Sequence, residues 1–137
     1  MPKTPLLTTD CVVRDSAGRV LLIRRKNEPF KGAYALPGGF VDIGETTEAA
    51  CRREVLEETG LRVDDLQLIG VYSEPSRDPR GHTVSVAYTT RLGEAPRPEA
   101  GSDAEAAEWV KDWRTLDLAF DHAQILEDVE TLTSRTK

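Results

Sequence analysis

Residues 39–61 read GFVDIGETTEAACRREVLEETGL, and the run from Arg53 to Glu58 inside them crowds Glu54, Glu57 and Glu58 together. A helix is expected here. Thr46 or Thr47 can cap its start, Glu48 falls in the first turn where the helix dipole favours an acid, and Gly60 suits the left-handed position just past its end. At about 3.6 residues per turn the three glutamates fall within about 100° of arc. Glu54 and Glu58 form an i,i+4 pair of like charges, which costs a helix a few tenths of a kcal/mol. A divalent cation reverses that sign.

A charge run on a helix is ordinarily a solvated face, so the residues around this one carry the decision. Mg²⁺ takes oxygen ligands and is commonly shared between protein carboxylates and substrate phosphates. A three-glutamate edge supplies the protein half of such a site. Gly38 and Gly39 just upstream let backbone approach closely, and a carbonyl there could complete the coordination. Arg53 lies about 100° from Glu54 on the helix, placed to reach back to Glu45 and pin the preceding loop.

Outward from this segment the chain reads as strands. Leu6–Val13 and Val20–Ile23 flank RDSAGR, whose Asp, Ser and Gly form turns, giving a hairpin. Residues 27–39 are rich in Pro and Gly and lead to a short strand near Phe40 and Val41. LQLIGVYS (66–73) and HTVSVAYTTRL (82–92) are strands, joined by a loop that Pro75 and Pro79 stiffen. GEAPRPEAGSDAEA (93–106) is a surface loop before a short strand, AEWV (107–110). Ile125, Val129 and Leu132 recur at helical spacing in a closing helix over about 120–133. The order predicts an α/β fold with a mixed sheet covered on both faces.

With 137 residues the chain is expected to be one domain over 1–137 with a single core. A net charge of -6 argues against general nucleic-acid binding, which needs clustered Lys and Arg. Apolar runs such as Val20–Ile23 fall far below the roughly 18 residues needed to span a bilayer, so no membrane role is expected. MPKTPLLTTD lacks the pattern of a secretory signal, and Cys11 and Cys51 are read as reduced, structural thiols in the cytoplasm.

Gly39, Glu45, Arg53, Glu54, Val55, Glu57, Glu58, Gly60 and Leu61 stand in the spacing G-x5-E-x7-R-E-V-L-E-E-T-G-L. This resembles the Nudix box, G-x5-E-x7-R-E-U-x-E-E-x-G-U with U a bulky aliphatic, at every specified position. The resemblance implies a Nudix-type α/β/α sandwich and hydrolysis of the pyrophosphate bond of a nucleoside diphosphate linked to another group. It implies Mg²⁺ or Mn²⁺ held by Glu54, Glu57 and Glu58, with the carbonyl of Gly38 as a further ligand, and Arg53 among the catalytic residues. The general base is left open between Glu54 or Glu58 and a late-loop acid, Glu105 first and Asp103 next.

YSEPSRDPRGH (72–82) and LAFDHAQIL (118–126) look like the corresponding segments of small ADP-ribose pyrophosphatases, with Pro75 near the place of a subgroup marker. That likeness implies ADP-ribose as substrate, a small-molecule nucleotide, and AMP and ribose 5-phosphate as products. Arg77, Arg80 and His82 are expected to meet its phosphate or ribose oxygens, an arginine by its bidentate fork. Asp121 is expected to cap the last helix, with His122 either covering the sheet edge or touching substrate. Tyr34, Phe40, Tyr72 and Tyr88 are candidates to stack on adenine, and Trp109 and Trp113 are assigned to the core. Rival readings are a housecleaning triphosphatase of the 8-oxo-dGTP type and a non-catalytic ADP-ribose-binding regulatory module. The family also admits a homodimer, with the apolar N-terminal strand as interface.

Overall fold

Asp15 closes the first hairpin. Its carboxylate accepts from the amides of Ala17 at 3.0 Å and Arg19 at 2.7 Å, while Gly18 takes the left-handed φ of 81° that the turn requires. The strands it joins are β1 (Leu6–Asp15) and β2 (Val20–Arg25), paired antiparallel. A computed structural model of the chain describes residues 2–94, 96–101 and 104–135. Within them, β3 (Tyr34–Ala35) and β7 (Ala104–Val110) flank β2, and β4 (Gly38–Phe40) pairs with β1. β6 (Thr83–Leu92) runs parallel to β1 along its whole length and carries β5 (Gln67–Tyr72) antiparallel on its other side. The sheet is therefore mixed, as expected, and both β1 and β2 run two residues past their predicted ends.

The parity of the strands decides which helix lies on which face. Val12, Val20, Leu22 and Ala87 point to one side and pack with Ile125, Leu126 and Val129 of α2 (His122–Arg135). Cys11, Val13, Leu21 and Tyr88 point to the other and pack with Cys51 and Val55 of α1 (Thr47–Thr59). Strands buried on both faces read as continuous apolar runs, which is why Val20–Ile23 shows no alternation. Trp113 is in the core, as assigned. Trp109 is only half-buried, because its indole N–H reaches out to the Pro96 carbonyl at 2.9 Å. Cys11 and Cys51 are buried free thiols, and no helix among the described residues is long and apolar enough to cross a membrane.

α1 begins and ends where the capping residues predict. Thr46 Oγ1 accepts from the Ala49 amide at 3.0 Å, and Gly60 stands at φ 74° with its amide on the Leu56 carbonyl. The loop before β7 closes the helix further: the Glu99 amide donates to the Thr59 carbonyl at 2.7 Å and the Gly101 amide to the Glu58 carbonyl at 3.1 Å. A Cβ at Gly101 would lie 1.8 Å from the Glu57 carbonyl oxygen, so this approach requires glycine. The last turn of α1, which carries Glu57 and Glu58, is thus gripped from outside.

Candidate active site

The brace expected between helix and loop is present. Arg53 Nε donates to Glu45 at 2.7 Å and Nη2 to its other oxygen at 2.9 Å, while Nη2 also reaches the Phe40 carbonyl at 3.0 Å. The hydrogen bonds from Arg53, joined by one from the Asp42 amide, hold the Glu45 carboxyl down at about 2. Arg53 Nη1 turns the other way, to Glu54 at 2.8 Å and Glu57 at 3.2 Å. One guanidinium therefore fixes the entry loop and spans two carboxylates of the acidic edge.

The three glutamates do not share one environment. Glu58 is buried at 8% exposure and accepts from the Gly38 amide at 2.7 Å. Glu54 lies so close to Gly39 that a Cβ there would fall 2.6 Å from its carboxyl carbon. Both line a cleft of about 350 Å³ at the end of the sheet. The Glu57 side chain is 57% exposed and is absent from the cleft wall, turned toward Arg53 instead. Among the described residues no group of three His, Cys, Asp or Glu is already gathered as a metal site. The donor set nonetheless suits a hard divalent cation: it is all oxygen, two carboxylates face one cleft, and the glycine at 39 leaves its side-chain space to the Glu54 carboxylate.

The same cleft is lined by Arg25, Arg80, Phe40 and Phe120. The Arg80 guanidinium lies 5.8 Å from the Phe40 ring centre and 5.7 Å from that of Phe120, and pairs with Asp78 at 2.8 Å. Arg25 stacks over Phe120 at 5.0 Å and donates from Nε to the Pro29 carbonyl. It has no carboxylate within ion-pair distance among the described residues; burial and then Arg80 pull its pKa down, partly offset by Glu58 and Asp78. Phe120 holds φ at 52°, a strained conformation for a bulky residue, and its ring meets Phe30 edge-on at 4.9 Å.

The remaining candidate residues occupy different surroundings. Arg77 lines the cleft, but its side chain is only 4% exposed, and it donates to both oxygens of Asp121 at 2.9 and 2.7 Å and to Thr83 at 2.8 Å. Its fork is already filled. Asp121 accordingly accepts from Arg77 rather than capping α2 through its side chain. His82 is exposed, bonded to the Ser73 carbonyl, and outside the cleft wall. Of the four stacking candidates only Phe40 borders the cleft, because Tyr34, Tyr72 and Tyr88 bond Glu108, Asp128 and Thr47 through their hydroxyls.

Glu105 is the extra residue of a bulge in β7, opposite the step from Arg24 to Arg25, and is exposed and outside the cleft wall. Asp103 lies outside the described residues. His122 is buried at 3% exposure, with Nδ1 accepting from the Leu36 amide at 3.0 Å and Nε2 3.2 Å from Asp10. Burial pushes the Asp10 carboxyl up, but His122, Ser85 and Arg77 together bring it below the usual carboxylate range. Sequence reasoning passed over Arg25, Phe120 and Asp10. Two charged residues, Arg24 and Arg25, ending the apolar run of β2 were the available signal for the first.

A mixed sheet between two helices, with a cleft lined by glutamates, arginines and aromatic rings, defines the α/β architecture of the chain. The NUDIX domain family model matches residues 4–129, and the chain belongs to that family as a Nudix hydrolase. It is 47% identical over 126 residues to an ADP-ribose pyrophosphatase of Methanocaldococcus jannaschii, covering 90% of this chain and 72% of that one. It is 36% identical to the ADPR responsive transcriptional repressor NtrR of Acinetobacter baylyi, covering 90% of this chain but only 52% of the repressor. The NUDIX domain of Shewanella oneidensis NrtR, solved in complex with ADP ribose, superposes with a TM-score of 0.89 at 31% identity, covering 96% of this chain and 90% of that one.

Proposed function

We propose that this chain hydrolyses the pyrophosphate bridge of ADP-ribose to give AMP and ribose 5-phosphate. The observation that carries the reading is one cleft holding Glu54 and Glu58 together with Arg25 and Arg80. Similarity to an ADP-ribose pyrophosphatase over most of the chain supports the substrate. Water attacks one phosphorus, the bond from that phosphorus to the bridging oxygen breaks, and the departing phosphate keeps that oxygen.

Arg25, stacked on Phe120 and without an acidic partner among the described residues, offers its remaining donors to a phosphate. Arg80, held between two rings, adds a second positive charge. The Phe40 ring, 43% exposed at the cleft, is a platform for the nucleobase. Glu54 or Glu58 takes the proton of the attacking water at a carboxylate oxygen, with Glu105 as the alternative base. Mg²⁺ or Mn²⁺, held by Glu54, Glu57, Glu58 and the Gly38 carbonyl, would neutralise developing charge and lower the pKa of that water.

A regulatory reading has one observation in its favour, the likeness to a repressor and to an ADP-ribose-bound regulator domain. Glutamates at all four box positions, Glu45, Glu54, Glu57 and Glu58, favour hydrolysis. A substrate panel with Mg²⁺ separates the readings. ADP-ribose should be turned over faster than 8-oxo-dGTP, with AMP and ribose 5-phosphate as products. The opposite ranking overturns the assignment, and tight ADP-ribose binding without turnover returns the regulatory role.

A further inference from the structure

Asp10 and His122 are both buried, at 7% and 3% exposure, and both border the cleft, yet the chemistry above uses neither. A carboxylate and an imidazole out of water are costly unless every polar atom finds a partner. One of their bonds reaches the short stretch that precedes Glu58's partner, Gly38. His122 Nδ1 accepts from the Leu36 amide, so the ring proton sits on Nε2, which donates to Asp10 Oδ1. The Ser85 hydroxyl donates to Asp10 Oδ2 at 2.5 Å, and Arg77 stands 3.7 Å from the same oxygen.

Two residues beyond Leu36, the Gly38 amide donates to Glu58 at 2.7 Å, and between them the Pro37 carbonyl accepts from the Cys11 amide at 2.9 Å. Gly38 fits only because it has no side chain: a Cβ would lie 2.7 Å from Asp10 Oδ1 and 2.1 Å from the Thr9 carbonyl. Asp10 thus meets this stretch twice, through His122 at Leu36 and by direct approach at Gly38.

We propose that Asp10 and His122 are a positioning pair, fixing Leu36–Gly38 so that the Gly38 amide holds the Glu58 carboxylate in its working orientation. Neither touches the reacting atoms; each acts through the backbone between them and Glu58. His122 is suited to this because one ring nitrogen accepts and the other donates, tying an amide on one segment to a carboxylate on another. The inference rests on the hydrolytic reading, since it assigns Glu58 a working orientation.

The test reads amide hydrogen exchange at Leu36 and Gly38 in the full chain, beside kcat and KM on whichever panel nucleotide the wild type hydrolyses. His122→Leu keeps bulk and removes both bonds; His122→Gln keeps one acceptor and one donor. In His122→Leu both amides should exchange at least about tenfold faster. Its kcat should fall about 100-fold, the scale of a small misplacement, with KM within about threefold. His122→Gln should recover most of both.

Unchanged exchange at Gly38 overturns the proposal, as does a loss confined to KM or a glutamine variant as impaired as the leucine one. If His122→Leu does not fold, Ser85→Ala decides, with smaller changes of the same sign expected and none counting against the pair. If the wild type hydrolyses nothing in the panel, the hydrolytic reading fails on its own, while the exchange data still report whether the pair holds the turn.

Discussion

Arg53 closes a two-bond fork on Glu45, eight residues earlier, and the same guanidinium bridges Glu54 and Glu57. The fork holds the folded Glu45 carboxyl at about 2, against an ordinary 4.5. A depressed carboxyl contributes stability that is complete above the unfolded value and is lost as pH falls toward the folded one. Glu45→Gln removes that contribution. The melting temperature of wild type should exceed that of Glu45→Gln at pH 6, and the gap should close as pH is lowered from about 4.5 to about 2.5. A gap that stays constant over that window would show that the fork does not act through the charge of Glu45.

Gly39 faces the carboxylate of Glu54 with no room for a methyl group. The atom it would meet is the end of a side chain, so the backbone need not move and the fold should survive. Gly39→Ala should therefore lose about 100-fold in turnover, because Glu54 is displaced, while urea stability falls by no more than about 1 kcal/mol. A variant with normal turnover would mean that the position of Glu54 is not critical.

Arg25 and Arg77 both border the cleft, yet their surroundings predict different losses. Arg77 is buried between Asp10 and Asp121, and its removal strips Asp121 of both its bonds from Arg77 and Asp10 of a nearby positive charge, so Arg77→Gln should cost about 3 kcal/mol or more in denaturant unfolding. Arg25 has no such partner among the described residues. Arg25→Gln should leave stability within about 1 kcal/mol and raise KM about tenfold or more, as loss of a phosphate contact does. If Arg77→Gln instead raised KM without loss of stability, its ion pairs would have to open on binding.

What could be read in advance followed from periodicity along one segment. The arc of α1 put Arg53 within reach of Glu45, and threonine and glycine marked both helix ends. The order of strands and helices implied a mixed sheet covered on both faces. Contacts between distant segments were another matter. The bond from the Leu36 amide to His122 spans 86 positions, and nothing local to either residue points to the other. Arg77 shows the same limit from the opposite side. An arginine in a Pro-stiffened loop reads as a ligand contact until the fold supplies Asp121 and Thr83. Periodicity tells which residues share a face, not what that face meets.

The general base is the role that separates local from distant placement most sharply. Glu58 is fixed in the cleft by the Gly38 amide, while Glu105 is exposed in a bulge of β7. A base must come within hydrogen-bond reach of the attacking water, and Glu58 already borders the space where substrate would lie. Glu58→Gln should thus reduce kcat by about 1000-fold or more, whereas Glu105→Gln should cost less than about tenfold. Measuring kcat across pH adds a second readout, because losing the base removes the acid limb of the profile, while losing a bystander scales the whole curve. A Glu105→Gln variant that abolished the acid limb would require the β7 bulge to bring that carboxylate into the cleft during turnover, and would move the role out of the acidic helix.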